Sequence, residues 1–174
     1  GKPEVPRREA AGVVRLQAHL YPIIRSRKVR VVPGGLAEVA DRLTKDTGRK
    51  ITVLAADLND RKELAKVEAV LRSDPSITLL LNNAGFGGVA PLLKADVDKM
   101  EEMIELNVTA LTRLTYAAAP GFVARGQGTL INISSIVAIG PEVLNGVYGA
   151  TKAYVLALGH SLQHELADKG VRIQ

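Results

Sequence analysis

The sequence predicts a doubly wound α/β fold with a parallel sheet, and three observations predict it. From about Leu36 onward, stretches with helical apolar spacing alternate with short apolar runs bounded by turn residues. Those runs are apolar on both faces, the mark of strands covered by helices on each side. The apolar fraction is 47% with only 3% aromatic, so the core is expected to be aliphatic and alanine-rich.

Each element follows in order. Leu36 to Thr44 places Leu36, Val39, Ala40 and Leu43 on one helix side, and Gly48 stops it. Ile51 to Ala56 reads as an apolar strand. Asn59 or Asp60 caps the next helix, whose inward stripe is Leu64, Val67, Val70 and Leu71, and Asp74-Pro75 ends it. Ile77 to Leu81 is a second strand, too short for a buried helix. One continuous helix is expected from about Val97 through Val123, broken at Gly126 to Gly128. Thr129 to Ile133 forms a third strand, a long helix covers about Val147 to Lys169, and Gly170 leads into a strand at Val171 to Ile173. Residues 1–35 stand apart as an atypical basic segment, and 36–174 form the α/β domain. Within the first segment, Glu9 to Leu20 has helical spacing and Lys28 to Val32 reads as a strand.

Composition narrows the function classes. The chain has 174 residues, enough for one domain with a sizeable core. It has no cysteine, which excludes a disulfide framework and thiol-ligated metal and fits a reducing cytoplasm. No apolar run reaches the length of a membrane span, so a soluble intracellular protein is expected, with no membrane partner. The net charge of +5 is concentrated in residues 1–30, where eight Lys or Arg meet two Glu, a balance of +6; the remainder sums to −1. A basic arm without a reading module is not the signature of a nucleic-acid binder, and no nucleic-acid partner is expected. His160 and His164 form H-x-x-x-H, but no zincin glutamate lies between them and no third ligand is evident, so no metal is expected.

The residues that carry chemistry sit at strand ends and helix starts. Tyr148 and Lys152 are four apart, on one helix face, so an ammonium stands near a phenol. A free tyrosine titrates near ~10, and a fixed positive charge beside it favours the phenolate, which suits acid and base work at neutral pH. The spacing alone is common. Ser135, thirteen residues before Tyr148, follows an apolar strand, where open parallel sheets bind ligands. It serves equally well as a turn cap. Asn82-Asn83-Ala84-Gly85 ends another strand, either as a simple turn or as a surface for a flat ligand. Asn107 interrupts a long apolar helix and faces solvent or a polar network. Asp57 follows a strand and either accepts from an adenine amine or caps a turn.

Taken together, in this order and at these spacings, these signals resemble the short-chain dehydrogenase/reductase family over about residues 36–174. The resemblance implies a Rossmann-like fold and an oxidoreductase that transfers hydride between NAD or NADP and a carbonyl or secondary alcohol. It implies Tyr148 as general acid in reduction and base in oxidation, and Lys152 as the cation that lowers its pKa and holds the nicotinamide ribose. Ser135 would orient the substrate carbonyl, and Asn107 would position a water in a proton relay. Asp57, Leu58, Asn83, Ala84 and Gly85 would line the adenosine side, with Tyr148 and Lys152 at the nicotinamide. A homodimer or homotetramer through the two long helices is a further implication.

The sequence departs from the family at both ends. The Thr-Gly-x-x-x-Gly-x-Gly turn expected after the first strand, where glycines admit a pyrophosphate to a helix N-terminus, is not found. Val171 to Gln174 matches only the start of the family's sixth strand. Relative to the family the chain is therefore expected to be truncated or altered at both ends. The segments that set cofactor preference and substrate choice cannot be read. The alternative is a non-catalytic or truncated member that acts only through oligomerisation.

Overall fold

The computed structural model describes residues 33–48, 51–88, 90–140 and 146–174. The helix at Glu9 to Leu20 and the strand at Lys28 to Val32 expected from the sequence lie outside them.

Helix α1 spans Pro33–Thr47 and α2 spans Arg61–Ser73, followed by strand β1 at Leu79–Asn82. Helices α3 (Val97–Ile104) and α4 (Leu111–Arg125) lead to strand β2 at Gly128–Asn132, and α5 (Gly146–Glu165) leads to β3 at Val171–Ile173. The three strands form one sheet in the order β1-β2-β3, parallel throughout. Leu80 pairs with Leu130, and Leu130 with Ile173, so three apolar side chains line one row across the sheet. Parallel pairing requires a crossover between successive strands, and here α3–α4 and α5 provide the two crossovers.

The local signals explain the boundaries. Asp60 caps α2 by accepting from the N–H groups of Lys62 and Glu63, as expected for an Asx residue ahead of an amphipathic stretch. Leu64, Val67 and Leu71 of that stretch are buried. They join Leu114, Ala117, Ala118 and Phe122 of α4 and Leu80 and Leu130 of the sheet in one core. Helix α4 touches all three strands, and α2 packs on α4. A Cβ on Gly128 would lie 2.3 Å from Cγ of Phe122, so the largest buried side chain sits directly on the β2 backbone.

Three expectations need correction. Among the described residues the run 51–56 forms no ladder with any neighbour, and Val53 and Leu54 are exposed; the strand expected at Lys28 to Val32 lies outside them. Apolar composition marks a segment that suits a sheet, but pairing needs a neighbour. The helix expected to run unbroken over 97–123 contains a π-turn at Glu105–Ala110 between α3 and α4, and it continues to Arg125. Helix α5 ends at Glu165 rather than near Lys169, with a turn closed by Lys169 N–H on the Leu166 carbonyl before Gly170, whose φ is 71°. The remaining elements agree with expectation to within a few residues, the ordinary uncertainty of element ends.

Candidate active site

The carboxyl ends of β1 and β2, the π-turn and the first turns of α5 converge. Asn107 lies inside the π-turn and is only 1% exposed. Its Oδ1 accepts from the N–H of Phe86 (3.0 Å), and its Nδ2 donates to the carbonyl of Phe86 (2.8 Å) and to Thr151 Oγ1 (3.1 Å). Both amide protons are thereby committed, leaving one lone pair on Oδ1 for any other partner. Of the two surroundings open to it from sequence, Asn107 occupies the polar network. Thr151 Oγ1 passes the chain on by donating to the carbonyl of Tyr148 at 2.8 Å.

Lys152 is buried, and its Nζ donates to the carbonyl of Ile133 at the end of β2 (2.8 Å). Nζ stands 5.9 Å from the centroid of the Tyr148 ring, within reach of a cation–π contact. Burial pushes the Lys152 ammonium below the usual lysine value of 10.5. Gly85 fits between these groups: a Cβ there would lie 2.7 Å from Asn107 Oδ1 and 3.7 Å from Lys152 Nζ. The close approach of backbone to Asn107 is what requires glycine at this position.

Four of the residues singled out from sequence are therefore gathered in one place: Gly85 lies against Asn107 and near Lys152, Lys152 stands near the Tyr148 ring, and Thr151 joins Asn107 to Tyr148. Ser135 lies at the same end of β2, and its Oγ accepts from Val137 N–H at 3.4 Å as the cap of the 3-10 turn Ile136–Ala138. That is the turn-cap role left open for it, and among the described residues no hydrogen bond joins it to Tyr148. Leu58, Asn83 and Ala84 come together on a small hollow of about 10 Å³, with Leu81, Leu106 and Leu114 completing its apolar walls. Asp57 is exposed, accepts from Asn59 N–H (2.9 Å) and gives its own N–H to Glu63, so its side chain closes a turn. His160 and His164 are exposed on α5, and no cluster among the described residues has the makings of a metal site.

Sequence reasoning missed Thr151 and the contacts that Ser134 and the motif residue Asn82 make. Thr151 links Asn107 to Tyr148, and Ser134 Oγ donates to the carbonyl of Lys152 at 2.8 Å, tying β2 to α5. Asn82 Nδ2 bridges Thr115 Oγ1 (3.1 Å) and Asn132 Oδ1 (2.9 Å), locking the two strand ends together. A polar residue beside each motif residue was the one available hint.

The family profile described as short chain dehydrogenase matches residues 27–174. This chain belongs to the short-chain dehydrogenase family. The NADP-dependent 3-hydroxy acid dehydrogenase of Escherichia coli K12 is 34% identical over 148 residues, covering 82% of this chain and 58% of that protein. A probable NADP-dependent dehydrogenase of Haemophilus influenzae is 36% identical over 147 residues, covering 80% of this chain and 57% of that one. Among solved structures, a short-chain dehydrogenase from Sphingobium yanoikuyae in complex with NADPH has 42% identity and a TM-score of 0.78, covering 80% of this chain and 55% of that one. The bulky-bulky ketone specific alcohol dehydrogenase from Comamonas testosteroni has 42% identity and a TM-score of 0.77, with 79% and 55% covered. The chain spans little more than half the length of these relatives. The likeness supports the Rossmann-like α/β fold with a parallel sheet. Among the described residues, no helix is long and apolar enough to cross a membrane.

Proposed function

We propose that this chain is the catalytic part of an NAD(P)-dependent oxidoreductase that moves hydride between a nicotinamide and a carbonyl or secondary alcohol. The observation that carries the reading is the buried cation of Lys152, 5.9 Å from the Tyr148 ring and joined to the end of β2. A buried ammonium beside a phenol is what proton exchange with a developing alkoxide needs. Tyr148 gives its proton to the carbonyl oxygen in reduction and takes one from the alcohol in oxidation. Lys152 supplies the positive charge and a donor for the nicotinamide ribose. Ser135 Oγ, at the mouth of the same strand end, orients the substrate oxygen. Asn107 holds the assembly, and the free lone pair of its Oδ1 is the place for a water in a proton relay.

The adenosine side of a dinucleotide is assigned to Asp57, Leu58, Asn83, Ala84 and Gly85, on the family resemblance and on the grouping of Leu58, Asn83 and Ala84. Leu58 and the Asn83–Ala84 segment line one apolar hollow, Gly85 brings the strand-end backbone close to Asn107 and Lys152, and Asp57 is exposed next to Leu58 in sequence. When bound, the cofactor supplies or accepts the hydride. NADP is favoured over NAD because the Escherichia coli relative is NADP-dependent and the Sphingobium structure holds NADPH. A ketone with apolar bulk fits best as substrate. Ile136 and Ile139 beside Ser135 are 76% and 69% exposed, and the Comamonas relative is specific for bulky ketones. Pairing through the long helices into a homodimer or homotetramer is supported by the exposure of Tyr116 on α4 and Tyr154 on α5. The absence of cysteine supports a cytoplasmic setting.

Titration with NADPH and NADH, followed by nicotinamide fluorescence, tests the cofactor. Reduction of a bulky aryl ketone by the protein and by Tyr148→Phe tests the chemistry. Saturable binding with turnover lost in the variant supports the reading. A defined oligomer with no affinity for either nucleotide would replace it with a non-catalytic member acting through association.

A further inference from the structure

Backbone conformation does not call for glycine at position 87. The described glycines with positive φ are Gly48, Gly126, Gly146 and Gly170, so alanine suits the backbone at 87. What distinguishes the position is space. A Cβ on Gly87 would lie 3.0 Å from both Cε2 and Cζ of Tyr148 and 3.1 Å from Cδ2. Optimal carbon–carbon contact lies at about 3.5–4.0 Å. The backbone of residue 87 thus rests against the ring edge that includes the carbon bearing the hydroxyl. The next glycine gives the contrast, since a Cβ on Gly88 would meet Met103 Cε at an ordinary 3.5 Å.

A second observation explains what holds Gly87 there. Its neighbour Phe86 is fixed through both N–H and carbonyl by the buried side chain of Asn107. The same side chain reaches Thr151, which donates to the carbonyl of Tyr148. One polar network therefore grips Tyr148 at two points: directly at its backbone, and at its ring through the Phe86–Gly87 backbone.

We infer that Gly87 is a positioning residue, whose missing side chain lets the strand-end backbone seat the Tyr148 phenol and fix the direction of its hydroxyl. A methyl group at 87 forces the ring aside by a few tenths of an ångström. Tyr148 is half-buried, so the ring yields toward solvent and carries the hydroxyl with it. The catalytic consequence rests on the function proposed above, whereas the seating of the ring does not. Misplacement of a reacting group by 1 Å costs about a hundredfold in rate, so a smaller shift is expected to cost roughly tenfold.

The test labels the ring Cζ of tyrosine with carbon-13 in the full chain, which has four tyrosines, and assigns Tyr148 from Tyr148→Phe. Gly87→Ala is expected to move the Tyr148 resonance and leave those of Tyr116 and Tyr154 in place. Gly88→Ala is expected to move none of them. Asn107→Ala, which releases the Phe86–Gly87 segment without adding an atom, is expected to move the same Tyr148 resonance and covers the case in which Gly87→Ala fails to fold. An unmoved Tyr148 signal in a folded Gly87→Ala protein, or an equal shift in Gly88→Ala, overturns the inference; so does an unmoved signal in Asn107→Ala. With NADPH and ketone, Gly87→Ala is expected to lower kcat about tenfold with KM little changed. A moved resonance in a protein that turns over no substrate would remove the oxidoreductase reading and leave the seating of Tyr148 intact.

Discussion

Asn107 holds Phe86 by both of its backbone hydrogen-bonding groups, at 3.0 and 2.8 Å, across 21 residues of sequence. A side-chain amide thereby stands in for a neighbouring strand, pairing the N–H and carbonyl of a residue just past the end of β1. Backbone polar groups left unpaired away from water cost about 1–3 kcal/mol each. Asn107→Ala is therefore expected to destabilise the protein by about 2–3 kcal/mol, measured as a fall in urea midpoint. Hydrogen exchange should report the site directly. If the Phe86 amide exchanges no faster in Asn107→Ala than in the parent, the clamp is not what protects it.

Lys152 gives a prediction whose sign depends on pH. Burial pushes its ammonium below the usual 10.5, so between the lowered native value and the unfolded one the native state holds fewer protons. Stability from this residue therefore rises with pH across that interval, and below it the cost of the buried charge is full and constant. Lys152→Met removes that cost and loses the bond to Ile133. The expected net gain at neutral pH is about 1 kcal/mol, or roughly 2–4 °C in Tm, shrinking as pH climbs toward the lysine range. A gap that stays constant with pH would show that burial of the charge is not its source. Turnover should be lost in the same variant.

Glu68 of α2 behaves in the opposite sense. Burial pushes its carboxyl up, but hydrogen bonds and charges from Arg113 on α4 and Arg72 outweigh this and hold it below the usual 4.5. Its contribution is present above the unfolded value and lost as pH falls through the native one. The arginines are 41% and 55% exposed, which weakens the pair by solvent screening. Glu68→Gln is expected to cost about 1–2 kcal/mol at neutral pH, a cost that vanishes at acid pH once the native carboxyl is protonated. Urea midpoints for parent and variant at both pH values check it, and parallel pH curves would refute it.

Gly128→Ala tests the contact between β2 and Phe122. The added methyl group would meet the ring at 2.3 Å, with a buried side chain that has nowhere to retreat. Overpacking of this kind costs about 1–3 kcal/mol or more. Gly128→Ala combined with Phe122→Leu should recover part of the loss, and a double variant no better than the sum of its singles would place the strain elsewhere.

Much of the fold was legible because local chemistry and global packing agree. The stripe Leu64, Val67 and Leu71 behind the Asp60 cap buries as its spacing dictates, and Gly126 and Gly170 turn the chain where expected. The run 51–56 pairs with nothing among the described residues, and composition could not settle that, because a strand is a relation between two segments. The π-turn was not legible either, since a wide turn and a regular one use the same helix-forming residues. Its one trace was Asn107, a polar residue where the apolar pattern had no place for it. At the site, Tyr148 and Lys152 were legible because four residues make a fixed distance on a helix. Thr151 and Ser134 were not, since their partners lie 44 and 18 residues away and only tertiary structure brings them close.

The π-turn makes a phase shift. Carrying more residues per turn than the 3.6 of an α-helix, it rotates everything before it relative to everything after it. In α4, Leu114, Ala118 and Phe122 keep the helical rhythm that faces the sheet, while Met103 of α3 is buried near Gly88 on the side of the strand ends. Had the helix run regularly through 105–110, one of these two registers would have been lost, or Asn107 would have turned away from Phe86. The widened turn thus lets one continuous helix keep two alignments, Met103 toward the strand ends before it and Leu114, Ala118 and Phe122 toward the core after it.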